Sequence, residues 1–409
     1  MSVPTAPEPS TDASRVVETV VDKHADELIE LRRDLHAHPE LSWTERRTTH
    51  LAAAQVAQAG WTVARHGESG LVADLGEDGP LVALRADLDA LPVQDTTGDP
   101  WASTVPGVAH ACGHDVHTAA LVGAARALSE VHARGLLRGR VRLLFQPAEE
   151  VMPGGALHLM SSGALDDVEQ IFMLHCDPTV DVGRLGLRAG PVTGAADRIE
   201  VRLTGTGGHT SRPHLTQDLI FALGKVISEV PAVMSRRLDP RAGISVVWGL
   251  VDAGAAHNVI PSSGRVGGTV RMLDLIAWSE AEAMAREAIA TIIAPYGVTA
   301  DVDYRRGVPP VVNEPAATQL LGEAIARVLG VRGWVTTSQT LGGEDFGWYL
   351  DRVPGAMARL GTRSPGGPTY DLHQGNLRID EAATGLGARV LAEAALGSIA
   401  SLRAPVTSR

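Results

Sequence analysis

Apolar and polar positions alternate along this chain in two rhythms, and the rhythm changes with position. Over residues 16–36, and again over 44–59, apolar side chains return every three to four positions among charged ones. That spacing predicts two amphipathic helices, the second stopped by Gly60. Short unbroken apolar runs over 71–75, 81–86, 141–145 and 171–174 predict buried strands, and the Ala-rich stretch 118–131 predicts a helix among them. Strands that alternate with helices predict an α/β sheet with helices on its faces.

The pattern changes near Pro191. Residues 198–203 alternate charged and apolar, as a half-exposed strand does. A helical pattern over 215–233 follows, then strand patterns over 244–250 and 265–271, a helix over 279–294 and a strand over 298–304. That order is the split βαβ arrangement of a ferredoxin-like domain. Gly307-Val-Pro-Pro310 reads as the exit linker, and helical and strand patterns resume through Leu402. The fold class expected is α/β: a discontinuous domain with a central mixed sheet flanked by helices, plus an inserted α+β ferredoxin-like domain. The expected boundaries are a disordered tail at 1–14, the α/β domain at 15–191 and 307–409, and the insertion at 192–306.

Composition narrows the class. A chain of 409 residues with 44% hydrophobic content exceeds one ordinary core. A net charge of −12 gives no electrostatic reason to bind nucleic acid or an anionic membrane, so neither is expected as a partner. Two cysteines, Cys112 and Cys176, cannot build a disulfide framework, and a reducing, cytoplasmic compartment is expected. The first fourteen residues lack the apolar core of a signal peptide. No uninterrupted run reaches the roughly 18 apolar residues of a membrane span.

The chemistry concentrates in His110-Ala-Cys-Gly-His-Asp-Val-His117, which holds a thiol, three imidazoles and a carboxylate. Thiolate and imidazole suit Zn²⁺, Mn²⁺ or related ions. A different reading makes Cys112 a nucleophile with a histidine base. Asp87 and Asp89 follow an apolar run, at the carboxyl end of a strand, where open α/β sheets bind ligands. Glu149 and Glu150 follow another run. As neighbours they are expected to point apart, so that one binds metal and the other serves as a base. His175 is expected at the end of the strand over 171–174. In the insertion, Gly207-Gly-His209 is a Gly-rich turn, and Arg271 has the fork geometry to hold a carboxylate. Asn258 lies there too, and His373 is a candidate last ligand.

Together these motifs resemble the co-catalytic metallo-amidohydrolase and metallopeptidase family of aminoacylases, hippurate hydrolase, indole-acetyl-amino-acid hydrolases and glutamate carboxypeptidases. The resemblance is closest to the hippurate and auxin-conjugate hydrolase branch. It rests on Arg85-Ala-Asp-Leu-Asp-Ala-Leu-Pro92, the 110–117 cluster, Phe145-Gln-Pro-Ala-Glu-Glu150, Gly207-Gly-His209, Asn258-Val-Ile-Pro261, Gly343-Glu-Asp-Phe346 and His373.

The resemblance implies two divalent ions, manganese or zinc, with cobalt and nickel also suited to the ligand set. Cys112 would bridge them, and His114, Glu150, His175 and His373 would complete the shell. Glu149 would be the general base and Asp89 would orient a ligand histidine. His209 would reach the partner subunit's site and polarise the scissile carbonyl, while Asn258 and Arg271 would bind substrate. The insertion would serve as lid and dimerisation domain of a homodimer or higher homo-oligomer. Other branches carry histidine where this chain has Asp87. Relatives of this branch carry a second histidine and a proline after the last ligand, where this chain has His373-Gln-Gly-Asn376.

The reaction implied is hydrolysis of an N-acyl amino acid. Metal lowers the pKa of a bound water toward about 7. Glu149 takes the proton and returns it to the leaving amine. The alternatives are a dipeptidase or carboxypeptidase of the same family, a thiol hydrolase using Cys112, and a non-catalytic binding relative.

Overall fold

The structure, a computed structural model, describes residues 11–404. The chain divides into two compact units. One comprises Met1–Gly190, Val312–Ser338 and Trp348–Arg409; the other comprises Pro191–Val311 and Gln339–Gly347.

The larger unit carries an eight-stranded mixed sheet. From edge to edge its strands are Thr62–Arg65, Leu71–Leu75, Arg140–Gln146, Leu81–Asp87, Val168–Asp181, Gly355–Arg363, Leu185–Leu187 and Trp334–Thr336. The four central strands are mutually parallel. All seven residues of Leu81–Asp87 are buried, the signature of a strand covered on both faces. Helices His114–Ala133 and Ala382–Arg403 pack on each other and on this sheet.

Several expectations give way to the structure. The chain is already helical at Asp12, because Thr11 Oγ1 accepts the Ser14 amide at 3.1 Å and caps the helix Asp12–Lys23. Ser14 is buried and donates to Glu393, so residues 12–14 are not tail; residues 1–10 lie outside the described part. The single helix expected over 16–36 is two, Asp12–Lys23 and Ala25–Ala37, joined at His24, whose φ of −105° and ψ of 13° leave the helix. Helix Ala382–Arg403 is long and apolar enough to cross a membrane by length and composition, which a search for unbroken apolar runs overlooks. Its Glu393 is buried and bonded to Ser14 and Arg327, as befits a core helix.

The smaller unit is a four-stranded antiparallel sheet ordered Ser245–Ala253, Ser263–Met272, Ala195–Thr204, Thr299–Val308, with helices Leu219–Arg237 and Leu275–Ile293 packed together on it. The sheet order and the two crossover helices are those of a ferredoxin-like domain. The exit falls later than the linker reading places it. Val192 N bonds Val311 O at 2.8 Å, Thr340 N bonds Val192 O at 3.0 Å, and Gly194 N bonds Gly342 O at 3.2 Å. Those bonds keep residues 307–311 in this unit and draw in Gln339–Gly347.

Candidate metal centre

The centre lies where the parallel strands of the larger unit end. Asp87 closes the strand Leu81–Asp87, and Asp89 follows just beyond it. Both are buried, which excludes a solvated turn. Gly113, at φ 88°, separates Cys112 from His114 and turns the chain into the helix His114–Ala133. A Cβ there would stand 2.8 Å from Cys176 Sγ, so only glycine fits.

The five expected ligands form two sets of three that share one residue. Cys112, His114 and His175 each offer an atom within 4.8 Å of the others, and so do Cys112, Glu150 and His373. Cys112 Sγ lies 3.6 Å from His175 Nε2. Two ligands of one tetrahedral ion, at bond lengths of about 2.3 Å for sulfur and about 2.1 Å for nitrogen, stand about that far apart. His114 Nε2 and Glu150 Oε1 are buried without a hydrogen-bond partner and lie 3.7 Å from each other. Orphaned buried polar atoms are costly and call for a partner. A divalent cation is the partner this donor set fits.

The histidines are oriented for that role. His114 Nδ1 lies 2.8 Å from the Asp89 carbonyl, and His175 Nδ1 lies 2.8 Å from the Cys176 carbonyl. A carbonyl only accepts, so each Nδ1 carries a proton, and Nε2 is the atom that can turn a lone pair to a metal. His117 differs. Its Nε2 accepts the Cys176 amide at 2.8 Å and its Nδ1 meets Asp87 Oδ1 at 2.5 Å, so both nitrogens are used and no lone pair remains for a metal. Asp87 also takes Arg85 Nη1 at 2.6 Å.

His175 is not at a strand end. The strand Val168–Asp181 continues past it. The pairing of Leu81–Asp87 with that strand stops at Met173, however, so His175 sits level with the neighbour's terminus. The two glutamates also differ from expectation. One oxygen of each comes within 4.8 Å of the other and of His114, so they converge. Alternation holds only in extended backbone, and Ala148 just before them has φ 54°. Asp89 clamps this loop: Oδ1 accepts the Glu149 amide at 3.1 Å, Oδ2 the Glu150 amide at 3.0 Å, and Ser42 donates to Oδ2 at 2.6 Å. Glu45 Oε1 accepts the Ala148 amide at 2.7 Å.

His373 is exposed at φ 63°, held by its amide to the Ala111 carbonyl at 2.7 Å, with Nε2 3.5 Å from Glu150 Oε1. Within the departure that follows it, Gly375 has a packing reason. A Cβ on Gly375 would fall 1.9 Å from the Gln94 carbonyl, so this turn lies against the 94–96 backbone.

Burial and the neighbouring carboxylates set the charge of the site. Burial lowers the His114 imidazole, but Asp87, Glu150 and Asp89 outweigh it and push it up to about 10. Burial and Arg359 hold the His175 imidazole well below its ordinary value. Burial, with Glu150 and Glu149, pushes the Cys112 thiol well above its ordinary range, so without a cation it is a poor nucleophile. A bound cation reverses that by stabilising the thiolate.

In the inserted unit, His209 and Asn258 lie together and Arg271 stands apart from both. His209 is exposed, with Nδ1 bonded to Ser211, and pairs across from Val259; the Asn258 carbonyl accepts the Thr210 amide at 3.2 Å. Strand Ser263–Met272 begins beside them, and a surface cavity of about 710 Å³ lined by Gly207, Gly208, Ser262 and Arg265 opens there. Arg271 lies eight residues along that strand, about 26 Å away at the usual rise. Its Nη1 donates to the Leu341 carbonyl at 2.5 Å.

Sequence reasoning missed Ser42, Glu45, Arg359 and the closed role of His117. Arg359 left a signal, a charge in the middle of the apolar strand Gly355–Arg363, with Nη1 3.2 Å from His175 Nδ1. Ser42 and Glu45 left none, Glu45 being a polar position in the helical pattern over 44–59 and Ser42 a polar residue just before it.

The chain is similar to known proteins in sequence and in fold. Residues 83–397 match the model of peptidase family M20/M25/M40. A Rhodococcus jostii (strain RHA1) protein provisionally named glutamate–cysteine ligase 2-3 is 49% identical over 89% of this chain, and the chain spans 46% of that protein's length. N-acetylcysteine deacetylase of Bacillus subtilis (strain 168) is 37% identical, over 90% of this chain and 96% of its own. A crystal structure from Bacillus subtilis, described as a dinuclear metal-binding peptidase of the M20 family, superposes with a TM-score of 0.81 at 34% identity, covering 93% of this chain and 99% of that one. The chain belongs to peptidase family M20/M25/M40, whose members are hydrolases of amide bonds.

Proposed function

We propose that this protein hydrolyses the amide bond of N-acyl amino acids at a dinuclear centre held by Cys112, His114, Glu150, His175 and His373. The observation that carries this reading is the pair of triads sharing Cys112, with His114 Nε2 and Glu150 Oε1 buried and without a hydrogen-bond partner. When bound, the two cations, manganese or zinc, supply Lewis acidity to the amide oxygen and lower the pKa of water at the site.

The chain does the rest. Glu149, on a loop clamped by Asp89 and Glu45, takes the proton of the attacking water and returns it to the leaving amine. Asp89 holds His114 through its carbonyl and the base loop through its carboxylate. His209 stabilises the oxyanion, and Asn258 beside it acts at the same end of the substrate. Arg271 holds the amino-acid carboxylate. The separation of about 26 Å along strand Ser263–Met272 supports a division of labour between subunits, in which His209 and Asn258 of one chain serve the centre of its partner in a homodimer. The two free thiols suit a cytoplasmic setting.

The test is metal removal with a substrate panel. EDTA is expected to abolish cleavage of N-acetyl, N-benzoyl and indole-acetyl amino acids, and Mn²⁺ or Zn²⁺ to restore it. Activity that survives EDTA, and falls only on thiol alkylation, would instead assign catalysis to Cys112.

A further inference from the structure

Trp43 has no part in the metal centre, yet its backbone lies in the left-handed region at φ 67°, where a bulky side chain is rarely found. The side chain is 46% exposed, so burial does not explain its presence. The ring is nevertheless held, edge-on to His158 at a centroid distance of 5.7 Å and 85° between planes.

The turn that carries it is fixed to the base loop. Thr44 N bonds the Leu41 carbonyl at 2.9 Å and closes the turn. On one side of Trp43, Ser42 donates to Asp89 Oδ2, which in turn accepts the Glu150 amide. Two residues further on, Glu45 accepts the Ala148 amide. Backbone strain of this kind persists only where the surroundings over-determine it, and it clusters at functional sites. Three more apolar side chains are exposed on these two tethered segments: Leu41 on the turn, and Val151 and Met152 directly after Glu150. Glycine at position 43 would remove the strain at little packing cost, so the use of the ring lies outside the fold.

We propose that Trp43 is a specificity-determining residue, whose ring together with Leu41, Val151 and Met152 forms an apolar rim that receives the acyl group of the substrate. This rests on the N-acyl amino acid reading. The acyl end is chosen by charge. The cations nearest in the chain, Arg46 and Arg47, are paired with Glu68 and Asp34, His158 Nε2 faces the His66 carbonyl, and the loop below carries carboxylates, so the rim disfavours an amino-acid carboxylate. An uncharged apolar acyl group loses water against it.

The experiment compares metal-loaded wild type, Trp43→Phe, Trp43→Gly and Trp43→Asn on N-acetyl, N-hexanoyl and N-benzoyl derivatives of one amino acid. Glycine and asparagine both tolerate the left-handed conformation, so neither variant is expected to unfold. The ring-free variants are expected to raise KM for the hexanoyl and benzoyl substrates about tenfold or more relative to acetyl, with kcat nearly unchanged, while Trp43→Phe keeps most of the preference. Equal effects on all three substrates, or none, overturn the proposal. Failure of the wild type to cleave any of the three overturns the parent reading, and this one with it.

Discussion

The two groups of candidate residues are built in opposite ways. In the larger unit the donor set is over-determined. His114 and His175 each have one ring nitrogen tied to a carbonyl, Cys112 is buried, and the glutamate loop is clamped by Asp89 and Glu45. In the inserted unit, His209 and Asn258 are exposed, and Arg271 lies far along the strand from both. Metal donors need exact placement in a low-dielectric wall, since a buried charge without its partner costs several kcal/mol. Groups that meet a substrate stay accessible and are completed by what arrives. Substitutions in the first group are therefore expected to act within one chain, and those at His209 and Asn258 across two.

The largest effect is expected at the base. Glu149→Ala should lower kcat by about 10³-fold or more, at the upper end for general acid–base catalysis, while the protein keeps its metal. A fully active variant removes the assignment. His209→Ala should cost about 10²–10³-fold, the scale of losing one oxyanion donor. The comparison is sharpest in mixed dimers. If His209 serves the partner, a His209→Ala chain combined with a Glu149→Ala chain regains part of the activity, because one site in the pair then has both groups. Absence of rescue places His209 in its own chain's site. Next is Asp89→Asn, which keeps the carbonyl that orients His114 but weakens the grip on the Glu149 and Glu150 amides. Metal affinity should fall about 10- to 100-fold, the usual range for an outer-shell partner, read by competition with a chromophoric chelator. Unchanged affinity would reduce Asp89 to its carbonyl.

The smallest effect is expected behind the metal wall. Asp115, next to His114, receives Arg32 at 2.8 Å and His36 at 2.8 Å, and His36 also faces Asp95 at 3.3 Å. Burial works against the His36 imidazolium, but Asp115 and Asp95 outweigh it and hold its pKa above the ordinary 6.5. The folded state then binds a proton that the unfolded state releases. This stabilisation is full below about pH 6.5 and is lost as pH rises through the folded value. The stability gap between wild type and His36→Gln, from denaturant midpoints, should shrink between about pH 6 and about pH 9. A constant gap means that His36 contributes packing alone.

Much of the larger unit can be read from the chain because strand ends there carry its chemistry. Asp87, Asp89, Glu149 and Glu150 each follow an apolar run, and open α/β sheets place ligands at such ends. Geometry that depends on neighbours could not be read. His175 lies within a fourteen-residue strand, and only the early end of the adjacent strand makes it terminal. The convergence of Glu149 with Glu150 depends on the positive φ of Ala148, a residue type that gives no hint of it. The return of Gln339–Gly347 to the inserted unit rests on backbone bonds to residues 192 and 194, more than a hundred positions away. His117 lies in the same cluster as the ligands, and only the geometry shows that both its ring nitrogens are engaged.

The account turns on Cys112 as the residue shared by two triads. Metal content of the purified protein, measured by elemental mass spectrometry on wild type, Glu149→Ala and Cys112→Ala, tests this most directly. The account predicts two divalent ions per chain in wild type and in Glu149→Ala, and loss of both in Cys112→Ala. A single ion per chain in wild type, or two ions retained without the thiol, would contradict it.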